Sequence, residues 1–266
     1  MAKNFTKELV FPRAPKAARN LDKDPILTIA ICIPSRDQWD SRFGYRLARL
    51  MAFTGATLCA DGLADLRLHM VNGSLIDSSR CTLVKEALTE GATHLFWLDT
   101  DMTFPEDTIV RLLRHNKPIV TVNAPTRRFP IQPTAFKRID YEHGLHARLY
   151  TEEGSTGLEE VEACGFSVAM MQAKIFESIP MPAFLTEYDK GTGRWKGEDV
   201  YFCEQARAAG FPVLVDHDLS KLIGHVGVME YRHDHALAVR ELDAESGVRS
   251  GIVVPEGVLA DGAVNV

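Results

Sequence analysis

A chain of 266 residues, 45% of them apolar and 25% charged, holds enough material for one large domain or two small ones around a real core. Its net charge of −6 gives no general reason to expect a nucleic-acid backbone as partner. The five cysteines show neither Cys-x-x-Cys nor Cys–His ligand spacing, which argues against a disulfide framework or a structural zinc site.

Residues 1–25, punctuated by Pro, Lys and Arg, read as a loosely ordered arm. They lack the apolar centre of a signal peptide, and the longest apolar run, Ile26 to Ile33, is far too short to cross a bilayer. A soluble protein of the reducing cytoplasm is expected. Ile26 to Ile33 has the length and composition of a buried strand. Pro34-Ser35-Arg36-Asp37 follows at once, and the loop after the first strand of an α/β sheet is a natural nucleotide site. Arg36 there could meet a phosphate or base; a plain surface arginine is the competing reading. Phe43 to Phe53 has helical periodicity, with Gly55 as a stop. Leu66 to Val71 alternates as a second strand. Asn72-Gly73-Ser74 then turns the chain into a helix capped by Asp77 or Ser78 that runs to about Thr89, before Gly91. That cap places Arg80 in the first turn, where the helix dipole disfavours a cation and an anionic partner is one explanation.

His94 to Leu98 is a third strand, and it ends in Asp99-Thr100-Asp101. If the chain stays extended, alternation puts both carboxylates on one face. They would then share the crevice beyond the strand's carboxyl end, where open α/β sheets bind ligands. Two hard oxygen ligands suit Mg²⁺ or Mn²⁺, whose coordination shell is usually shared with substrate phosphates. The competing reading has both acids opening a loop that caps the helix after Pro105, where Glu106 and Asp107 suit a helix N-terminus. Lys117 to Asn123 reads as a fourth strand. This alternation of strands and helices argues for a mostly parallel sheet covered on both faces.

After Asn123 the pattern changes. Ala124 to Pro133 reads as a loop, Thr134 to Tyr141 as a strand, and His143 to Gly157 as an excursion, together an acceptor-side insertion or edge hairpin. Cys164-Gly165 precedes a buried strand that ends at Gln172, and Gly165 would let backbone approach a ligand closely or mark a bulge. Lys174 to Ser178 is a short helix. Phe184 to Trp195 has the composition of a lid. Gly197-Glu198-Asp199 introduces a helix from about Val200 to Ala209, Pro212 to Val215 is a late strand, and Gly224-His225 sits in an apolar setting. The expected organisation is a single catalytic domain over 26–242, with a nucleotide-binding half (26–123), an acceptor and catalytic half (124–242), and a tail (243–266).

Taken together, Ser79-Arg80, Leu98-Asp99-Thr100-Asp101, the run Arg114-His115-Asn116-Lys117-Pro118-Ile119-Val120, Gly197-Glu198-Asp199 and His225 resemble a GT-A glycosyltransferase. The pattern is similar to that of the fungal α-mannan polymerase mannosyltransferases, and it covers roughly Leu27 to Val228. A counterpart of their membrane anchor is not expected, so their location and substrate are not carried over. The resemblance implies a GT-A, Rossmann-like sheet and transfer of a sugar from a nucleotide-sugar, a UDP-sugar first and GDP-mannose second. It implies Mn²⁺ or Mg²⁺ held by Asp101 and His225, with Asp99 on the metal or the ribose. Pro34, Ser35, Arg36, Arg80, Asp99, Asn123 and Gly165 would line the donor site.

In the same reading Asp199 deprotonates the acceptor hydroxyl and Glu198 binds donor or acceptor hydroxyls. Both acids would also cap their helix well, and a histidine such as His225 is often a satisfied core residue. Arg127, Arg128, Lys137 and Arg138 form a basic cluster. It suits a glycan, a lipid carrier or, as in some bacteriophage systems, DNA carrying hydroxymethylated bases; a solvated face is the plainer account. A sugar nucleotidyltransferase is disfavoured because Ile33-Pro34-Ser35-Arg36-Asp37 lacks a Gly-rich phosphate loop. A non-catalytic nucleotide- or glycan-binding module is the other alternative.

Overall fold

A computed structural model describes residues 26–127, 130–140, 145–191, 193–227 and 230–237. The expected arm, the tail and Arg128 lie outside the described residues. In chain order the elements begin with β1 (Leu27–Ser35), α1 (Ser41–Thr54), β2 (Ala64–Asn72), α2 (Ile76–Thr89) and β3 (His94–Leu98). They continue with β4 (Met102–Thr103), α3 (Thr108–Arg114), β5 (Ile119–Thr121), β6 (Phe136–Asp140), β7 (Leu145–Arg148), β8 (Leu158–Val161) and β9 (Val168–Gln172). The last are β10 (Glu187–Asp189), β11 (Arg194–Lys196), α4 (Glu198–Ala208), β12 (Val213–Asp216), α5 (His217–Ser220), β13 (Gly224–Val226) and β14 (Glu230–Tyr231).

The central sheet has seven strands in the order β2-β1-β3-β9-β5-β12-β8. Strand β1 pairs parallel with β2 and β3, and β12 pairs parallel with β5. Strand β9 runs antiparallel between β3 and β5, and β8 closes the far edge antiparallel to β12. The sheet is thus mostly parallel and Rossmann-like. Strands β3 and β5 are not neighbours; β9, a strand from much later in the chain, lies between them. That insertion has a consequence for the site, because the N-terminal end of β9 lies at the carboxyl ends of the parallel strands. Leu98 is paired with Val168, and the Asp99 N–H donates to the Ser167 carbonyl at 2.9 Å.

Both faces of the sheet are apolar, as alternation requires of a doubly covered sheet. Ala30, Cys32, Leu95 and Trp97 pack on one side with Leu83, Val84 and Ala87 of α2 and Phe202, Cys203 and Ala206 of α4. Ile29, Ile31, Ile33, Phe96 and Leu98 face the other side, against Phe43, Leu47 and Leu50 of α1 and Ile109 and Leu112 of α3.

Local boundaries differ from the sequence expectation where a side chain or a tertiary contact overrides propensity. Gly55 does not stop α1; the chain continues through a π-helical turn, Gly55–Cys59, and the positive φ of 65° falls at Gly62. Helix α2 starts at Ile76 without a side-chain cap, so Asp77 lies in its first turn and Arg80 one turn later than expected. The glycine-rich stretch before Gly197 forms the β10–β11 hairpin, not an irregular loop. After Asn123 the chain forms β6 and β7, an antiparallel pair separate from the central sheet. Among the described residues no helix is long and apolar enough to cross a membrane.

Four phenylalanines join α4 to the sheet: the Phe184 and Phe202 rings stack at 4.6 Å, and Phe166 and Phe176 lie at 5.2 and 5.8 Å from Phe202. Phe202 is fully buried. Phe202→Ala is expected to lower the unfolding free energy by roughly 3–5 kcal/mol, the usual cost of emptying a buried aromatic site. Urea denaturation would show this as a lower midpoint at an unchanged slope.

Candidate functional site

The carboxyl ends of β1, β2 and β3 open onto a cleft of ≈ 680 Å³ lined by Pro34, Ser35, Arg36, Asp99, Asp101 and Arg127, among others. Its size is that of a small-molecule site. Ser35 is fixed on its floor: its Oγ accepts from Trp39 Nε1 at 2.9 Å and donates to the Arg36 carbonyl at 2.9 Å. Arg36 is exposed. Trp39 and Ile76 present apolar surface on the cleft wall.

Asp99 and Asp101 both line this cleft, but not by strand alternation. Strand β3 ends at Leu98, and a turn closes with the Met102 N–H donating to the Asp99 carbonyl at 3.3 Å. The two carboxylates therefore face different neighbours. Asp101 is placed by the small sheet β14-β13-β4. In that sheet His225 is paired with Met102, and the Val226 N–H donates to the Asp101 carbonyl at 2.7 Å. The register brings His225 Nε2 to 3.3 Å from Asp101 Oδ2.

On the other side of the ring, His225 Nδ1 lies 2.8 Å from the Pro125 carbonyl oxygen, which can only accept, so Nδ1 carries the proton. Nε2 is thereby aimed at the carboxylate. Arg127 Nη1 lies 2.7 Å from the same Oδ2. Burial works to raise the Asp101 pKa, but the His225 imidazole and the Arg127 guanidinium outweigh it and hold the carboxyl below its ordinary range. His225 is pushed the other way: its pair with Asp101 overcomes burial and raises its pKa.

Asp99 belongs to a second cluster centred on Arg80. The Arg80 side chain is 3% exposed, and its guanidinium lies over the rings of Trp97 and Phe184 at 5.3 and 5.7 Å. Its Nη2 donates to Asp99 Oδ1 at 3.3 Å and its Nη1 to the Phe166 carbonyl at 3.4 Å. Nε is 3.3 Å from Glu198 Oε1 but is not aligned for a hydrogen bond, and it remains without one. Burial pushes the Asp99 carboxyl up to about 6 against the pull of Arg80. Arg80 does meet anionic partners, but they are carboxylates of the protein itself, Asp99 and Glu198. The helix N-cap is Leu75, two or three residues earlier than Asp77 or Ser78, and the Arg80 side chain is turned inward.

Glu198 and Asp199 open α4, whose N-cap is Gly197. Glu198 is engaged with Arg80. Asp199 Oδ1 accepts from the Val200 N–H at 2.8 Å, and its Oδ2 faces Gly165, where a Cβ would sit 3.6 Å away. At Gly197 a Cβ would lie 2.9 Å from Asp199 Oδ1, closer than real Cβ contacts allow. Gly197 therefore makes room for this carboxylate, whereas a Cβ at Gly165 would meet it only in ordinary contact. Burial pushes the Asp199 pKa up to about 6, and the Glu198 charge adds to the shift.

Other expected residues are placed elsewhere. Asn123 is fully buried: its Nδ2 donates to the Leu149 carbonyl at 2.7 Å and its Oδ1 accepts from the Ala135 N–H at 3.0 Å. It ties β5 to the following loops and does not line the cleft. The basic cluster is divided, with Arg127 on Asp101 and Lys137 paired to Glu159 at 3.0 Å. Phe184, Trp39 and the Pro125 carbonyl shape the site without having been marked by any motif. Phe184 and Pro125 act through contacts across 104 residues to Arg80 and 100 residues to His225, whereas Trp39 bonds Ser35 only four residues away. Only the aromatic composition of the Phe184 segment signalled one of them.

Among the described residues no three His, Cys, Asp or Glu side chains converge as a ready metal cage. The donor set nevertheless fits a shared cation. Asp101 and His225 are 3.3 Å apart, close to the ~3 Å expected between adjacent ligands about 2.1 Å from an octahedral ion. Among the described residues, Arg80 and Arg127 are the guanidinium groups paired to the carboxylates Asp99, Glu198 and Asp101 of this region.

No protein-family model matches the chain, and no curated protein does. Among solved structures, the crystal structure of A197 from STIV is similar over 76% of this chain and 86% of that one, at 16% identity and a TM-score of 0.47. A likeness that distant bears on neither activity nor ligand, so the site is read from its own residues.

Because the folded pKa of Asp199 is raised above the ordinary 3.8, its contribution to stability is full below that value and is lost as pH rises through about 6. Asp199→Asn cannot ionise. Its stability relative to the wild type should therefore increase between pH 4 and pH 7 and level off above, as followed by urea midpoints at stepped pH. A difference that does not vary with pH would show that Asp199 ionises freely in the folded protein.

Proposed function

We propose that this chain is a metal-dependent glycosyltransferase. It would move a sugar from a nucleotide-sugar, a UDP-sugar first and a GDP-sugar second, to a hydroxyl on a glycan, a lipid carrier or a hydroxymethylated DNA base. The observation that carries this reading is the meeting of Asp101 and His225 at a nucleotide-sized cleft, with the imidazole oriented by the Pro125 carbonyl. A histidine whose far nitrogen is locked to a carbonyl while its near nitrogen faces a carboxylate has the arrangement of a metal ligand with its supporting shell.

Asp101 and His225 would hold Mn²⁺ or Mg²⁺, with Asp99 beside them. When bound, the ion neutralises charge developing on the leaving diphosphate. The remaining work falls to the protein's own groups. The Pro34-Ser35-Arg36 loop supports the donor where β1 ends, and Arg36 brings an exposed positive charge to the cleft. Trp39 offers a planar ring and Ile76 apolar surface suited to a base. Arg80 holds Asp99 and Glu198 in place rather than contacting the donor.

Asp199 is the proposed acceptor base. A carboxylate whose pKa is about 6 is ionised at pH 7 yet is a stronger base than an exposed aspartate. Its Oδ2 faces the small Gly165. Glu198, already engaged by Arg80, is less free for that role.

The site is tested by thermal unfolding with UDP or GDP, with and without Mn²⁺. A ligand at about a hundred times its dissociation constant stabilises the folded state by roughly 2.7 kcal/mol. The wild type is expected to shift only with nucleotide and metal together, and Asp101→Asn not to shift. An equal shift in the variant would remove Asp101 from the metal–diphosphate site. For the chemistry, Asp199→Asn is expected to lower sugar transfer about 10²–10⁴-fold while leaving the nucleotide-dependent shift unchanged. Loss of the shift as well would make Asp199 a binding or structural residue. Pyrophosphate release from a nucleoside triphosphate and a sugar phosphate would point to a nucleotidyltransferase instead.

A further inference from the structure

Arg127 occupies an unexpected position for an enzyme of this proposed kind. Its Nη1 is 2.7 Å from Asp101 Oδ2, and His225 Nε2 faces the same oxygen at 3.3 Å. A guanidinium has five donors and no lone pair to give. It therefore cannot join a coordination shell, and it claims the oxygen that a cation would need. A lasting role as a structural clamp fits poorly with its surroundings, since its side chain is 53% exposed and its further bond, to the Val226 carbonyl, is long at 3.5 Å.

The backbone beneath it is fixed. The Thr126 N–H donates to the Gln132 carbonyl at 2.7 Å, the Gln132 N–H donates to Thr126 Oγ1 at 3.0 Å, and Pro125 bridges to Pro133. Arg127 is thus a long, solvent-reaching arm on a rigid post, and it lines the same cleft as Ser35, Arg36 and Asp99.

We infer that Arg127 is a placeholder counter-ion: it neutralises Asp101 while the site holds no cation, yields Oδ2 to the arriving cation, and turns its guanidinium onto the diphosphate in the cleft. The inference rests on the proposed cation role of Asp101. The electrostatics run in one direction. Asp101 lies close to a partly buried second carboxylate, Asp99, and needs a positive neighbour when alone. A divalent ion on Oδ2 satisfies that need better and repels the guanidinium. A planar fork released beside a diphosphate meets the anion geometry it matches best. Arg127 then opposes cation binding in the empty cleft and supports nucleotide binding in the loaded one, which couples the two ligands.

The test is Mn²⁺ binding to the full chain, read from the electron paramagnetic resonance of free Mn²⁺, for wild type and Arg127→Ala, together with UDP and GDP titrations at saturating Mn²⁺. Without nucleotide, Arg127→Ala is expected to bind Mn²⁺ several-fold more tightly than the wild type. At saturating Mn²⁺ it is expected to bind the preferred nucleotide at least about tenfold more weakly. Weaker Mn²⁺ binding by the variant would make Arg127 a fixed support for Asp101 and overturn the inference, as would unchanged nucleotide affinity. Both results would leave the proposed function standing. If neither protein binds Mn²⁺, the cation role of Asp101 falls and the inference falls with it. Arg127→Lys, which keeps the charge without the fork, should restore the weak Mn²⁺ binding but not the nucleotide affinity. Loss of a half-exposed ion pair leaves the fold intact, and a melting curve of each variant checks this.

Discussion

A guanidinium removed from water has to be matched, and the fold around the Arg80 head is arranged to do so. The cost of desolvating a cation is several kilocalories per mole even after relaxation, and it is offset only where carboxylates and carbonyls are held in place. Those partners come from parts of the chain far apart in sequence: Asp99 at the end of β3, the Phe166 carbonyl ahead of β9, and Glu198 at the start of α4. Trp97 and Phe184 supply ring faces on which the guanidinium lies. One buried charge thus fixes the relative positions of the third strand, the inserted strand and the late helix, which are the elements that carry the candidate chemistry. The unmade bond at Arg80 Nε marks where that matching is least complete.

The inserted strand explains why an acid-led helix so late in the chain reaches the aspartate pair at all. In a purely parallel arrangement the neighbour of β3 would be β5, and the loops around Gly165 would lie at a distance. Because β9 runs antiparallel between them, its leading residues arrive at the same end of the sheet as Asp99, and Gly165 comes to face Asp199. The site therefore has two parts. An open cleft over the ends of β1 to β3 bears Asp101, and a more enclosed cluster around Arg80 bears Glu198 and Asp199. Asp99 touches both.

Much of this was readable in the residues. The apolar runs of β1 and β3, the turn after β2 and the acidic start of α4 follow from short-range pattern, which sequence encodes directly. The convergence of Asp101 with His225 was suggested by residue type but rests on the pairing of Met102 with His225 across a small sheet. No local pattern specifies a contact between residues 124 positions apart. The position of Arg80 failed for a related reason: helix α2 starts without a side-chain cap, so cap chemistry put the start too late and the arginine on the wrong turn. Asn123 was a reasonable polar candidate at a strand end, yet its amide is taken up by backbone groups of the following loops. A buried amide that must satisfy its donors and a ligand-binding amide look the same in sequence.

Two residues apart, Asp99 and Asp101 are driven in opposite directions. Burial prevails at Asp99 despite its arginine, so its carboxyl rises to about 6; at Asp101 the imidazole and the second guanidinium prevail, and the carboxyl falls. Paired groups whose environments separate their pKa values mark a division of labour. Asp101 is kept ionised by Arg127 and His225, which both face its Oδ2. Asp99 is held by Arg80, deeper in the protein. The Asp-Thr-Asp spelling does not contain this division, because it is imposed by partners that lie far from the pair in sequence and reach the two carboxylates from opposite sides of the turn that separates them.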